Sequence, residues 1–187
     1  MKKIKSIPSQ KKVADFVLSC LEKIDPAAIC AGGAPRDWAM KNIAKDLDFY
    51  FCPGVSVPPE YMISMLTSVG LVVGGDDYGF GFVEREELPE EYKKYPYLVR
   101  MITLSVDSED VQIMEMSKPV EKSTIPTFPI TLSMISYKNG KLSPTEEFLD
   151  AIVNREVKIV NNGYDNSERY IQKITSRFPN FTVVRGE

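Results

Sequence analysis

Histidine is missing from all 187 residues. Its absence excludes Ser-His-Asp triads, Cys-His dyads, HExxH zinc sites and imidazole acid–base chemistry. Any reaction must therefore run on carboxylates, Lys and Arg, hydroxyls, thiols or backbone amides. Cysteine is scarce. Cys20, Cys30 and Cys52 form an odd set with no CxxC spacing, which argues against a disulfide framework and a zinc site. Buried, reduced thiols in a cytoplasmic protein are the expectation. Long apolar runs are missing too. Nothing approaches the roughly 18 residues of a membrane span, and the opening MKKIKSIPSQKK lacks the apolar stretch of a signal peptide, so no membrane partner is expected.

What remains is an ordinary globular composition, 43% hydrophobic and 26% charged, with a length suited to one domain with a real core. The net charge of −3 conceals an asymmetry: residues 1–45 are net +5, residues 46–154 net −10 and residues 155–187 net +2. Basic ends around an acidic middle suit a polyanion at one edge and metal ions at another. Random placement on a solvated surface is the plainer alternative.

Periodicity predicts helices over 9–24 (capped by Ser9), 35–43, 58–69, 145–154 (capped by Thr145) and 166–178. Strands are expected over 27–31, 46–52, 71–73, 98–106 and 111–116, the last two forming a hairpin through Asp107-Ser108-Glu109. Residues 74–81 read as a turn region, 84–96 as a charged surface excursion and the proline-rich 117–129 as a loop. Ile130–Tyr137 fits helix or strand, and Asn139-Gly140 marks a tight turn. Trp38 reads as core or as a base-stacking ring. Tyr92, Tyr95 and Tyr97, interleaved with Lys93, Lys94 and Arg100, read as a solvated flap or a loop touching nucleic acid.

The informative stretch is Ala31-Gly-Gly-Ala-Pro-Arg-Asp-Trp, then Lys45-Asp-Leu-Asp-Phe49. Side chains alternate along a strand, so Asp46 and Asp48 share a face about 7 Å apart, where they repel unless a cation sits between them. Oxygen ligands of this kind suit Mg²⁺ or Mn²⁺ together with substrate phosphates. Gly32 and Gly33 permit close backbone approach and positive φ, and the helix after them turns amides toward that bend. Arg36 and Lys45 bring positive charge. A phosphate cradle beside metal carboxylates is coherent machinery for phosphoryl or nucleotidyl transfer.

Gly32-Gly33, twelve intervening residues and then Asp46-Leu47-Asp48-Phe49 resemble the signature of the nucleotidyltransferase superfamily, whose fold is that of DNA polymerase beta. Gly-Gly-Ala-Pro-Arg-Asp followed by Lys-Asp-Leu-Asp is similar to the catalytic head of CCA-adding tRNA nucleotidyltransferases and bacterial poly(A) polymerases. The resemblance implies triphosphate binding at Gly32 and Gly33, metal binding and catalysis at Asp46 and Asp48, and nucleotide binding or loop organisation at Arg36 with Asp37. It also implies a third carboxylate on a later strand. Asp110, opening Asp-Val-Gln-Ile-Met, matches that position; Glu115 is the rival, and their odd separation puts them on opposite faces. Gln112 shares the face of Asp110. Farther on, Thr127–Met134 stands where that family carries Arg-Arg-Asp-x-Thr-Ile-Asn-Ala; the arginine pair is missing and Pro129 replaces the Asp.

The expectation is a single α/β (α+β) domain, with a nucleotidyltransferase core over 1–125 and a small helical extension over 126–187 packed on it. Its sheet would be mixed and mostly antiparallel, with helices on one side. The expected activity is metal-dependent transfer of a nucleoside monophosphate from a nucleoside triphosphate to an acceptor hydroxyl. The acceptor favoured is an RNA 3′ end, with a protein or small-molecule hydroxyl second. The competing reading is a catalytically degenerate protein of this fold that binds nucleotide, RNA or a partner protein.

Overall fold

The computed structural model describes residues 5–55, 57–71, 81–88, 90–93, 95–160 and 168–185. The chain runs through α1 (Ile7–Leu21), β1 (Ile29–Ala31), α2 (Gly33–Ala39), β2 (Leu47–Phe51) and α3 (Pro59–Ser68). Then come β3 (Gly81–Glu84), α4 (Glu90–Lys93), β4 (Leu98–Val106), β5 (Glu109–Met116) and α5 (Val120–Ser123). It ends with β6 (Ile135–Lys138), β7 (Lys141–Pro144), α6 (Glu146–Asn154), β8 (Glu156–Ile159), α7 (Glu168–Arg177) and β9 (Thr182–Arg185).

Short polar side chains set the element ends. Ser6 rather than Ser9 caps α1: the Ser6 hydroxyl accepts from the Ser9 N–H at 3.2 Å, and the Ser9 hydroxyl accepts from the Ser6 N–H at 2.9 Å. Asp25 ends the α1 region and accepts from both the Ala27 and Cys52 N–H groups, tying that turn to the end of β2. Asp107 and Ser108, both at positive φ, make the two-residue turn between β4 and β5. Asn139-Gly140 does the same between β6 and β7, which resolves the ambiguous 130–137 stretch into 3₁₀ turn plus strand.

Seven strands lie in the order β3-β4-β5-β2-β1-β6-β7. Only β2 and β5 are parallel; every other neighbouring pair is antiparallel. One face buries Leu47, Phe49, Phe51, Val111 and Ile113 under α1, α2 and α3. The opposite face carries Tyr50, Met101, Met114 and Met116, covered by Phe128, Leu132, Phe148, Val157, Ile174 and Phe178 from the chain after β5. That extension is not purely helical, because β8 and β9 pair in a second, parallel sheet. Among the described residues no helix is long and apolar enough to cross a membrane. The expected strand over 71–73 and turn over 74–81 fall mostly on residues 72–80, outside the described residues.

Gln10 links these layers. Fully buried on α1, its amide donates to the Ala44 carbonyl and to Glu109 at 2.9 Å each, and accepts from Trp38 Nε1 and the Ala44 N–H at 3.0 Å each. One side chain thus joins α1, α2, β5 and the turn that delivers Lys45 and Asp46. It also fixes Trp38 as core, edge-on to Tyr137. Replacing Gln10 by Leu leaves buried partners unsatisfied, so the expected loss is at least about 2 kcal/mol. Urea titration checks it; a change below about 0.5 kcal/mol would contradict the linking role.

Candidate active site

Strand register builds the site. Asp48 pairs with Gln112 across the parallel β2–β5 ladder, and Leu47 with Val111. Paired residues share a face, so Asp48 and Gln112 look the same way. On the other side of β2, β1 ends next to Asp48 and runs into Gly32. Gly32 precedes α2 at φ +84°, a backbone region that suits glycine, and a Cβ there would meet the Phe128 ring at 3.4 Å.

These elements surround a cleft of about 360 Å³. Gly33, Arg36, Lys45, Asp46 and Asp48 line it from the β1–β2 side, Tyr92 and Gln112 from α4 and β5, and Ile130, Ile174, Arg177 and Phe178 from the extension. Five sequence-predicted residues therefore share one cavity, with Gly32 in the turn beside it. Asp110 is not among the lining residues. Its side chain is 75% exposed and lies 4.0 Å from Lys5. Among the described residues, no three acidic or cysteine side chains are grouped to hold a metal ion. Glu115 points to the other face, buried 3.0 Å from Arg100 Nε. It is closed off from Asp46 and Asp48 by the sheet itself. Arg100 is equally buried, so it does not belong to an exposed flap with the tyrosines.

The electrostatics centre on Asp48. One of its oxygens, Oδ1, is sealed from solvent with no hydrogen-bond partner. Burial first, and then the Asp46 charge, push its pKa up to about 7, against the lowering effect of Arg36 and Lys45. Lys45 Nζ stands 3.9 Å from Asp46 Oδ2. An orphaned carboxylate oxygen beside a second carboxylate is a donor set fitted to a hard divalent cation, whose charge would remove the penalty. Burial, with Asp48 second, also raises the Cys30 thiol, so Cys30 is not a nucleophile at neutral pH.

Asp37 is buried at the rim. Its Oδ1 accepts from Arg36 Nε and Nη2 at 2.9 Å each, and its Oδ2 from Arg177 Nη2 at 2.7 Å. Arg36 also stacks over Phe178 at 5.0 Å. Tyr92 reaches the floor through its hydroxyl, 3.4 Å from Gln112 Oε1. Arg177, Phe178 and Ile130 were invisible to sequence reasoning, whereas from sequence Tyr92 reads as part of either a solvated flap or a loop touching nucleic acid. Arg177 is 140 residues from Asp37, and no local pattern links them.

Raising a carboxyl pKa on folding costs stability as pH climbs from the unfolded value toward the folded one. Without divalent cations, Asp48→Asn should raise the melting temperature more at pH 8 than at pH 5. Thermal melts in EDTA measure this; a gain independent of pH would contradict the charge burial.

No protein-family model matches the chain, and no curated protein matches it in sequence. Solved structures do match in fold. A CCA-adding enzyme in apo form I superposes with TM-score 0.61 at 13% identity, covering 95% of this chain and 40% of that one. The Thermotoga maritima CCA-adding enzyme complexed with tRNA gives TM-score 0.61 at 11% identity, again 95% and 40%. A tRNA nucleotidyltransferase complexed with a primer tRNA and an incoming ATP analogue gives 0.51 at 14%, covering 84% of this chain and 43% of that one. The chain thus spans less than half the length of these proteins. Its fold is the nucleotidyltransferase fold.

Proposed function

We propose that the chain is a metal-dependent nucleotidyltransferase, moving a nucleoside monophosphate from a nucleoside triphosphate to an acceptor hydroxyl, with an RNA 3′ end as the favoured acceptor. The observation that carries the reading is the orphaned, sealed oxygen of Asp48 on the same cleft face as Asp46, beside the Gly32-Gly33 turn. A divalent cation, Mg²⁺ or Mn²⁺, would offset the charge of the reacting phosphates when bound. Asp46 and Asp48 would hold it. Alternation along β5 puts Asp110 on the same face as Gln112, the partner of Asp48, which supports Asp110 as the third acid. The Gly32-Gly33 backbone, carrying no side chain of its own, would admit the phosphate tail, and Arg36 and Lys45 would offset its charge. A carboxylate in the cleft can take the acceptor proton, the role that histidine would otherwise fill.

CCA-adding enzymes of similar fold have been solved with ATP, with CTP and with tRNA, which supports a nucleoside triphosphate and RNA as partners. The second reading, a nucleotide- or RNA-binding protein without catalysis, is favoured by one observation: Asp110 lies outside the cleft lining, where Gln112 faces Asp48.

Incubation with labelled nucleoside triphosphates, Mg²⁺ or Mn²⁺, and total RNA separates the two. The expected outcome is label transfer that falls about 10²–10³-fold in Asp46→Ala or Asp48→Ala, with Asp110→Asn also impaired. Nucleotide binding without transfer to RNA, protein or small-molecule hydroxyls would establish the binding reading instead.

A further inference from the structure

The terminal helix puts a cation into the cleft. Arg177 ends α7, and its side chain stays 44% exposed while one guanidinium nitrogen, Nη2, is anchored on a carboxylate only 5% exposed. A guanidinium offers five N–H donors in a planar fork. Among the described residues, its hydrogen bonding is that single contact with Asp37. The fork is thus held at one nitrogen by a buried anchor, on a side chain that lines the cavity. The anchor is itself tied down. Asp37 is clasped on its other oxygen by Arg36, and Arg36 is stacked on Phe178, the residue after Arg177.

The charges around the cleft balance as it stands. Asp37, Asp46 and Asp48 face Arg36, Lys45 and Arg177, three carboxylates against three cations. A divalent cation on Asp46 and Asp48 would leave this balance positive, which suits a polyanion and not a neutral ligand. Guanidinium groups match phosphate oxygens in geometry as well as charge.

We propose that Arg177 is a triphosphate-binding residue delivered by the terminal helix, and that Asp37 is the positioning residue that holds it toward the cleft. This rests on the reading of the cleft as a nucleotide site. Arg177 would then contact the phosphate tail, so that substrate binding fastens α7 and the extension to the core. The extension closes the site chemically as well as covering a sheet face.

The test is titration calorimetry of the whole chain with Mg²⁺ and each of ATP, CTP, GTP and UTP, then with the matching monophosphates, without acceptor. In Arg177→Gln, affinity for the best triphosphate should fall at least about tenfold, while monophosphate affinity changes less than about twofold. Arg177→Lys should recover part of the loss. Asp37→Asn, which keeps the arginine but weakens its anchor, should give an intermediate loss confined to the triphosphate. If the wild type binds triphosphate and Arg177→Gln binds it equally well, this inference fails while the nucleotide site stands. An equal loss for triphosphate and monophosphate, with a lowered melting temperature, would reduce Arg177 to a structural clasp and also overturn it. If the wild type binds no nucleoside triphosphate, both readings fall together.

Discussion

One oxygen of a cleft carboxylate is sealed into the sheet without a partner. Asp48 is on an interior strand of a seven-stranded sheet, flanked by β1 and β5, with one oxygen cut off from water and from every donor. An ionised group in that position is costly unless something positive meets it. Asp46 on the same face makes the cost larger, and Arg36 and Lys45 relieve it only in part. The surrounding features make sense as parts of a site whose charge is completed from outside. Gly32 allows the positive-φ turn beneath the Phe128 ring, Gln10 fixes the approach to β2, and the parallel β2–β5 register sets a polar residue opposite. A sheet designed only for stability would place an apolar residue at Asp48, as it does at Phe49 and Tyr50 beside it.

The extension changes what the cleft is. Without the chain after β5, the acids would keep only Tyr92 and the start of α2 beside them on that sheet face. With it, Ile130, Ile174 and Phe178 form an apolar wall, and Arg177 adds its charge to that of Arg36 and Lys45. The apolar cluster on this face includes residues from β2, β4 and β5 as well as α6, β8 and α7, so the wall and the strands bearing the acids share one packed layer. That shared layer couples the position of α7 to the shape of the site.

Much of this was legible beforehand because it is local. Gly32-Gly33 and Asp46-x-Asp48 lie within seventeen residues, and alternation along β2 fixes their common face without any tertiary information. The long strands β4 and β5 and the helices α1, α3 and α6 carry enough residues for their period to show. What escaped was short or distant. β3, β7, β8 and β9 have four residues each, too few for alternation to rise above the noise of their turns. The cap of α1 slipped from Ser9 to Ser6 because a capping box contains two hydroxyls and sequence alone does not say which leads. Alternation alone put Asp110 and Glu115 on opposite faces of β5, but that Glu115 is buried against Arg100 and Asp110 exposed beside Lys5 took the tertiary fold. Arg177 could be found only by folding the chain, since its partner Asp37 belongs to the first quarter of the sequence.

The central claim is that Asp46 and Asp48 form a divalent-cation site that receives a triphosphate at the Gly32-Gly33 turn. A crystal structure grown with Mn²⁺ and a non-hydrolysable nucleoside triphosphate, with data collected at the manganese edge, addresses it directly. The account predicts an anomalous peak within ligand distance of Asp48 Oδ1 and of Asp46, with the phosphates lying toward Gly33. Manganese bound elsewhere on the chain, with Asp48 still unpaired and no phosphate in the cleft, would contradict it.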